Sequence, residues 1–272
     1  MARSATVPAA GQSDADVVAA RAEAWNNRPL LRDIYHRYFA EMVANFARDS
    51  TGAPGKVVEI GGGSGNFKTY FPNCICTDIV PTPFVDFAAD ACHLPFGPGS
   101  IDNLVMQDVL HHIPYPLAFF AEAQRVLRPG GRIVMTEPYA SPFFRLVCKI
   151  GHPEPVDMSV RLFPEEGASA MGGGAPDPVA FTGQGAFASN QAIPTVLFYR
   201  DRARFAARFP RLRILKRLRR SFFVYPLSGG FSGPQLLPRP LIPLAWGIEA
   251  CLRPLAPLMA LRLVVVIERG RE

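Results

Sequence analysis

The chain has 272 residues, of which 49% are hydrophobic and 19% are charged. This length suits one α/β domain with an elaborated cap, and the composition excludes a miniprotein and a largely disordered chain. The formal net charge of +6 leaves an anionic lipid surface open as a partner, but much of the excess lies between Arg200 and Arg220, in a pattern typical of a solvated helix and an edge strand. We therefore expect no nucleic-acid partner.

Cysteine usage and hydropathy indicate the compartment. The five cysteines form neither a CxxC pair nor an even-numbered framework, so disulfides and a zinc site are not expected. The first residues lack the continuous apolar core of a secretory signal. The most apolar stretch, Leu236 to Ile267, is interrupted by charged residues and prolines, which argues against a spanning helix. We expect a cytoplasmic protein, with peripheral membrane contact left open.

The first predicted element is a helix that begins at Pro29. Apolar residues recur at helical spacing from Leu31 to Phe46, and Gly52 lies beyond the end. From Lys56 the pattern changes to short apolar runs separated by helical stretches, which is typical of a parallel sheet with crossover helices. The runs cover residues 56–60, 74–79, 84–88, 101–106 and 132–137, of which 84–88 is the weakest. A helix is predicted over 117–127.

The pattern becomes irregular after Ala140. Gly, Pro and Ala crowd the sequence to about Pro194, which predicts an insertion rather than a second domain. A helix over 197–209, a long strand over 212–225 and a final strand over 261–268 follow. We therefore divide one domain into an N-terminal helical cover (1–52), a cofactor-binding core (53–139), a cap insertion (140–196) and C-terminal helices and strands that complete the sheet (197–272).

A glycine turn follows the first predicted strand, with the sequence VVEIGGGSGNF at 57–67. Glycines let the backbone approach a ligand without an intervening Cβ, and the next helix offers unpaired N–H groups. The turn is not a dinucleotide fingerprint, because the third glycine of G-x-G-x-x-G falls on Ser64 or Asn66. Asp78 ends the next strand, where a carboxylate can accept both hydroxyls of a ribose or cap a helix. The two features together favour a nucleoside, and a structural turn without a ligand stays the alternative.

Five ordered motifs between about Val57 and Pro138 carry a family resemblance. They are ExGxGxG at 59–65, Asp78, DACHLPF at 90–96, SID at 100–102 with VLHHI at 109–113, and EAxRVLRPGGRI at 122–133. In this order they resemble the class I S-adenosyl-L-methionine (SAM) dependent methyltransferases, and most closely the type 11, ubiquinone/menaquinone-like branch that acts on small molecules. The resemblance implies an α/β fold with a doubly wound, Rossmann-like sheet of seven strands, an antiparallel last strand, an N-terminal helical cover and an inserted acceptor cap.

The same resemblance implies SAM as the cofactor and assigns its contacts. Glu59 supports the turn and reaches the SAM ammonium through water, Asp78 holds the ribose diol, and Gln107 lies beside the methionine moiety and the reacting sulfonium. Asp90 accepts a hydrogen bond from the adenine amino group, and Ala91 donates its backbone N–H to the ring. The glycines expected to pass close to the methionine part are Gly61, Gly63 and Gly65.

Candidate catalytic residues lie where the methyl group is expected to point. Methyl transfer needs an aligned nucleophile, exclusion of water and removal of a proton where one exists, so no metal is expected. His111 and His112 follow the fourth strand and can supply a general base; packing against the sheet or capping a loop is the alternative. The resemblance favours His112. In the cap, His152 and Glu154 can bind or deprotonate an acceptor, and ordinary turn chemistry explains them equally well.

These features predict an enzyme that transfers a methyl group from SAM to an O, C or N atom of a small-molecule or lipid-like acceptor (EC 2.1.1.-). The first alternative is an NAD(P)-dependent oxidoreductase, which shares the glycine turn and the ribose-binding acid but gives no reason for the motif at 90–96. The second is a catalytically inactive SAM-binding scaffold protein. The acceptor and the oligomeric state are not predicted.

Overall fold

Seven strands form one sheet in the computed structural model, which describes residues 13–151, 154–163 and 185–271. The strand order is β3-β2-β1-β4-β5-β7-β6. The strands are β1 (Val57–Ile60), β2 (Cys74–Asp78), β3 (Phe87–Ala88), β4 (Ile101–Gln107), β5 (Leu127–Pro138), β6 (Leu212–Arg220) and β7 (Arg262–Arg269).

The first five strands pair in parallel, and β7 is antiparallel to both of its neighbours, β5 and β6. The reversed strand is therefore the last in the chain, and the predicted doubly wound sheet is confirmed. The strand order reverses between β1 and β4, where Ile60 pairs with Met106. In open α/β sheets a crevice for ligands forms beyond the carboxyl ends of the strands at such a point.

Ten α-helical segments accompany the sheet in the described part of the chain, and one π-helical turn, Val196–Arg200, separates two of them. The helices are α1 (Asp14–Asn27), α2 (Pro29–Val43), α3 (Asn66–Tyr70), α4 (Pro116–Val126), α5 (Pro142–Gly151), α6 (Ile193–Thr195), α7 (Arg202–Arg208), α8 (Val224–Leu227), α9 (Ile242–Cys251) and α10 (Ala256–Met259). Short 3-10 turns cover Leu110–His112, Gly185–Phe187, Arg239–Leu241 and Arg253–Leu255.

Alternate residues of the strands face two apolar layers, as the period of two in a strand requires. On one face Val57, Val105 and Val134 pack with the apolar stripe of α2. On the other face Val58 and Leu104 pack in a cluster that includes residues of α4 and the π-helical turn. The predicted helix that begins at Pro29 is confirmed, and it forms one wall of the cavity described below.

Three details differ from the predicted elements. Helix α1 was not predicted from the sequence. It begins at a capping box between Ser13 and Asp16. The helix predicted over 197–209 is interrupted because the N–H of Asp201 bonds to the carbonyl of Val196, which closes a π-helical turn. The strand predicted over 212–225 ends at Arg220, because Ser221 takes a left-handed backbone with φ 57°.

The length and hydropathy of the described helices bear on whether any of them could span a membrane. No single one of them is both long and apolar enough to cross a bilayer. The segments Arg239–Cys251 and Arg253–Met259 meet the hydropathy of a membrane span only when taken together, and they are bent by 59° at the break between them.

Candidate active site

A cavity of about 1000 Å³ opens beyond the carboxyl ends of β1, β2 and β4. It brings together ten of the residues predicted to bind or react, which line its wall: Glu59, Gly61, Gly63, Asp78, Asp90, Ala91, Gln107, His111, His112 and Glu154. Gly65 is not part of the lining and precedes the first residue of α3 with φ 70°. His152 lies outside the described residues.

The glycine turn leaves β1 at Ile60 and runs beneath the cavity. Gly61 has φ 69°, and a Cβ there would lie 2.4 Å from the side chain of Val109. At Gly63, with φ 53°, nothing lies within 4 Å of the position that a Cβ would take. Packing therefore requires glycine at the first position, and the positive φ favours it at the second, where the backbone borders open space.

Asp78 shapes this turn from the end of β2. Its Oδ2 accepts the N–H of Gly63 at 2.8 Å, and its Oδ1 accepts the N–H of Val80 at 2.9 Å. Burial raises the pKa of the Asp78 carboxyl, although the backbone donors partly oppose this shift. Each carboxylate oxygen has a second lone pair, so Asp78 can hold the turn and still accept hydroxyl groups from the cavity.

Asp90 and Ala91 lie on another part of the wall, in the turn after β3. The Asp90 carboxylate accepts the N–H of Cys92 at 2.8 Å and lies 2.9 Å from Nδ1 of His93. Burial raises its pKa, but the contact with His93 and the N–H of Cys92 outweigh this effect and lower the pKa. The carboxylate therefore stays ionised near neutrality, as an acceptor on the cavity wall must be.

Two acceptor atoms in the wall have no hydrogen-bond partner in the described structure: Oε2 of Glu59 and Oε1 of Gln107. The Nε2 of Gln107 donates to Asp108 at 2.9 Å, which leaves Oε1 available to a ligand. Burial raises the pKa of Glu59 to about 7. Buried acceptors without donors are costly, so a ligand that carries N–H donors, such as an ammonium group, fits this part of the cavity.

His111 lies between two carboxylates. Its Nδ1 is 2.8 Å from Oε2 of Glu137, and its Nε2 is 3.7 Å from Oε2 of Glu154. Burial alone would lower the pKa of His111, but the contacts with both glutamates outweigh it and raise the pKa to about 9. His111 is therefore an imidazolium near neutral pH and holds its proton too firmly to act as a base.

His112 has the opposite character. Burial, with the adjacent charge of His111, lowers its pKa to about 3, so its ring is neutral. Its Nδ1 lies 3.1 Å from the carbonyl of Ala188, which only an N–H can satisfy. This contact assigns the proton to Nδ1 and leaves the lone pair of Nε2 as an acceptor.

Three of these side chains could also bind a cation. Donor atoms of His111, His112 and Glu154 all lie within 4.8 Å of one another. Donors to one zinc ion lie roughly 3.4 Å apart, as Zn–N distances near 2.1 Å in a tetrahedron require. To bind one cation, the three donor atoms would therefore have to move closer together. His111 would also have to lose the proton that it shares with its two carboxylates.

The wall also contains a partly buried ion pair that was not predicted from the sequence. Arg262, the first residue of β7, donates to Oδ1 of Asp108, and the hydroxyl of Tyr35 donates to Oδ2 of Asp108 at 3.2 Å. Asp108 follows β4 directly and has φ 59°. The position of Asp108 directly after a strand could have marked it as a candidate site residue. Its partner Arg262 could not be predicted, because it lies 154 residues away in the chain.

The rest of the lining is largely apolar and aromatic. It is contributed by the segments that follow β5 and β6 and by the 3-10 turn at 185–187, through Phe144, Val147, Phe187, Phe231 and Leu236. Arg21 of α1 also borders this region, where its guanidinium lies 4.7 Å from the ring centre of Phe187, and its buried Nε has no partner in the described structure. The cavity thus has a polar end at the glycine turn and an apolar end beneath the cap.

Comparison with known proteins is consistent with this geometry. Residues 58–135 match the model of a family described as a methyltransferase domain. The chain is 36% identical over 115 residues to the human thiol S-methyltransferase TMT1B, covering 34% of this chain and 47% of that protein. It is 27% identical over 124 residues to a malonyl-[acyl-carrier protein] O-methyltransferase of Hahella chejuensis, covering 39% and 44%.

The chain spans less than half the length of the curated relatives it matches. Among solved structures, the YcgJ protein of Bacillus subtilis is 14% identical with a TM-score of 0.43, over 86% of this chain and 97% of that chain. The family match covers the strands and turns that build the polar end of the cavity, from β1 into β5. Residues 58–135 are thus similar to a methyltransferase domain, in line with the resemblance of the sequence motifs to the class I SAM-dependent methyltransferases.

Proposed function

We propose that this chain transfers a methyl group from SAM to an O, C or N atom of an apolar small-molecule or lipid-like acceptor. The observation that carries the proposal is one cavity with a polar and an apolar end. Its volume of about 1000 Å³ lies at the upper limit of pockets for one small molecule, roughly 300–1000 Å³. There is therefore room for the cofactor and for at least the reacting part of an acceptor.

The residues of the polar end fit SAM. When bound, SAM supplies a methyl group that a positively charged sulfur activates. Glu59 and Gln107 accept hydrogen bonds from its ammonium group, because both have a buried oxygen without a donor. Asp78 accepts the ribose hydroxyls, while Asp90 and the N–H of Ala91 bind the adenine. The glycine turn at Gly61, Gly63 and Gly65 lets the backbone approach the methionine moiety.

His112 positions the acceptor and takes its proton. The lone pair of Nε2 accepts a hydrogen bond from an O–H or N–H group and aligns that atom with the methyl group. The pKa near 3 makes His112 a weak base, so proton removal accompanies methyl transfer rather than precedes it. Glu154 and His111 lie behind this group, and the carboxylates of Glu137 and Glu154 hold His111 in place.

The acceptor is apolar because the walls that remain for it are aromatic and aliphatic. The printed names of two relatives describe methyl transfer to a thiol and to the malonyl group of an acyl carrier protein. These names support methyl transfer to a nucleophilic heteroatom. Phenols, quinols and long-chain hydroxy compounds combine such an atom with a body that suits the cavity.

Two measurements test the proposal. Titration calorimetry with S-adenosylhomocysteine and, separately, with NADH distinguishes a methyltransferase site from an oxidoreductase site. The expected result is binding of S-adenosylhomocysteine and none of NADH. Transfer of a labelled methyl group is then measured with a panel of apolar phenols, quinols and hydroxy lipids. Binding of S-adenosylhomocysteine without transfer to any of them would favour the scaffold alternative.

A further inference from the structure

We propose that an apolar surface between residues 236 and 258 docks the protein onto an anionic lipid bilayer, from which the acceptor enters the cavity. The 236–258 surface consists of six exposed side chains: Leu236, Leu241, Leu244, Ile248, Leu255 and Leu258. The docking itself is independent of methyl transfer, and only the entry of the acceptor rests on the proposed function.

The exposure of this surface is unusual for a water-facing segment. Half of the exposed large hydrophobic residues in the described part of the chain belong to it. Leu244 is 61% exposed and Leu258 is 56% exposed. Contiguous apolar patches on the surface of a protein mark places where another apolar phase binds.

The helices that carry the surface suit the bilayer interface. In α9, Leu244 and Ile248 lie one turn apart and face outward, while Ala245 and Glu249 are buried. The segments that carry the surface are bent by 59° at the break between Cys251 and Arg253, and each is shorter than the roughly 20 residues of a straight membrane span. Apolar side chains exposed on such short segments can insert at the boundary between the head groups and the acyl chains.

The charges around the surface select anionic lipid. Arg239 and Arg253 are exposed and bracket α9 in the sequence. The only acid between residues 229 and 261 is Glu249, and its Oε1 is occupied inside the protein by the N–H groups of residues 222–224. Cations without neighbouring acids are attracted to anionic head groups, by about 1 kcal/mol each near the surface, or roughly five-fold in affinity.

A neighbouring helix extends the same chemistry. Helix α5 packs against α10 and exposes Leu146 between two cations, Arg145 and Lys149, and it contains no acid. The apolar face with basic flanks therefore includes two elements that are distant in sequence. A protein partner would need an equally apolar and acidic face, whereas an anionic bilayer supplies both properties everywhere on its surface.

The surface is continuous with the cavity. Leu236 is 65% exposed and also lines the cavity. In α5, Phe144 and Val147 line the cavity, whereas Leu146 between them is exposed. An apolar acceptor can therefore pass from the bilayer to the cavity along apolar side chains and without transfer through water.

Vesicle sedimentation tests the docking with the full chain and without cofactor or acceptor. The protein should pellet with vesicles of phosphatidylcholine and phosphatidylglycerol, less with pure phosphatidylcholine, and less at high salt. Leu244→Asp/Ile248→Asp should lower binding by at least about ten-fold, because two carboxylates replace two inserted side chains. Leu215→Asp, an exposed leucine of β6 outside the surface, is the matched control and should bind like the parent.

A second pair of variants tests the charges. Arg239→Gln/Arg253→Gln should lose roughly five-fold in affinity for anionic vesicles for each guanidinium removed, and nothing for neutral vesicles. The control Arg202→Gln/Arg204→Gln removes two exposed cations from α7 and should retain most of the binding. Melting temperature and S-adenosylhomocysteine binding confirm that each variant is folded.

Three outcomes would overturn the proposal. They are no vesicle binding at low salt, equal binding by Leu244→Asp/Ile248→Asp, and a dimer of the parent in solution that this variant dissociates. The last outcome would assign the surface to a second copy of the chain. Vesicle binding with no binding of S-adenosylhomocysteine would refute the proposed function alone, so the two failures are distinguishable.

Discussion

The two ends of the cavity are built in different ways. The polar end comes from the ends of β1, β2, β3 and β4, which are consecutive in the chain, so its residues lie between Glu59 and Gln107 and form recognisable motifs. The apolar end is assembled from α1, α2, α5, the 3-10 turn at 185–187, the segment after β6 and the start of β7. Local sequence therefore describes the polar end well, whereas tertiary packing determines the apolar end.

The largest effect is expected where the two ends meet, at the pair of Arg262 and Asp108. Arg262→Met removes the only cation that contacts the Asp108 carboxylate in the described structure and leaves that carboxylate, whose side chain is 22% exposed, without a counter-charge. Removal of one member of a fully buried pair typically costs about 3–5 kcal/mol, and the partial exposure of Asp108 places this pair at the lower end of that range. Urea denaturation should therefore show a loss of about 3 kcal/mol in the free energy of unfolding.

The control for this variant is Asp108→Asn/Arg262→Met. Asparagine tolerates the left-handed backbone at position 108 and carries no charge, so the double variant should recover part of the lost stability. If both variants unfold at the same urea concentration, the charge of Asp108 is not what Arg262 stabilises.

The proposed role of the polar end is tested most directly at Asp78. Asp78→Ala removes the proposed acceptor for the ribose hydroxyls and also the acceptor for the N–H of Gly63. Hydrogen bonds to charged groups contribute about 1.5–3 kcal/mol each, so affinity for S-adenosylhomocysteine should fall about 100-fold. Calorimetry measures this change.

Asp86→Ala provides a matched comparison. Asp86 also accepts a backbone N–H, from Cys76, and pairs with Lys68, but it does not line the cavity. Binding of S-adenosylhomocysteine by Asp86→Ala should stay within about two-fold of the parent, since exposed pairs contribute little. Equal losses for both variants would mean that Asp78 acts only by supporting the fold.

The strands of the sheet were predictable because short apolar runs between turns have a local signature. The predicted runs at 56–60, 74–79, 101–106 and 132–137 correspond to β1, β2, β4 and the last part of β5 within one or two residues. The end of β6 was not predictable, because it depends on the turn at Ser221 and on Glu249, which accepts the next three N–H groups from 25 to 27 residues away.

The same distinction applies to the site. The proximity of Asp78 to the glycine turn could be predicted from spacing, because the strand ends that carry them are neighbours in a parallel sheet. The opposite protonation states of His111 and His112 could not be predicted from the sequence. These adjacent residues differ because His111 meets Glu137 and Glu154 while His112 meets a carbonyl, and both Glu154 and the carbonyl of Ala188 come from the cap.

A smaller effect is expected at His112. His112→Ala should lower turnover about 30-fold and leave the affinity for S-adenosylhomocysteine unchanged, because its proposed role is to position and deprotonate the acceptor. The loss is below the usual range for a general base because its pKa is near 3. At saturating SAM, turnover of the parent should show no acidic limb between pH 5 and 7, since His112 stays neutral throughout that range. His36→Ala, an exposed histidine of α2, is the control and should not change turnover. A parent profile with a limb near 6.5 would assign the proton transfer to another group.

The smallest effect is a pH dependence at Glu59, where cofactor binding and folding respond in opposite directions. The carboxyl neighbours Cys76, Asp78 and Lys68, and burial raises its pKa from 4.5 to about 7. Because an ionised carboxylate holds an ammonium group better, affinity for S-adenosylhomocysteine should rise about five-fold from pH 6 to pH 8.

The folded state binds the proton of Glu59 more tightly than the unfolded state, so the stability that Glu59 contributes is fully present below pH 4.5 and is lost as the pH rises to about 7. Glu59→Gln should flatten both dependences, in calorimetry and in urea denaturation at pH 5 and 8. If the variant keeps the rise in affinity, a group other than Glu59 titrates, and Glu59 does not hold the ammonium group of the ligand.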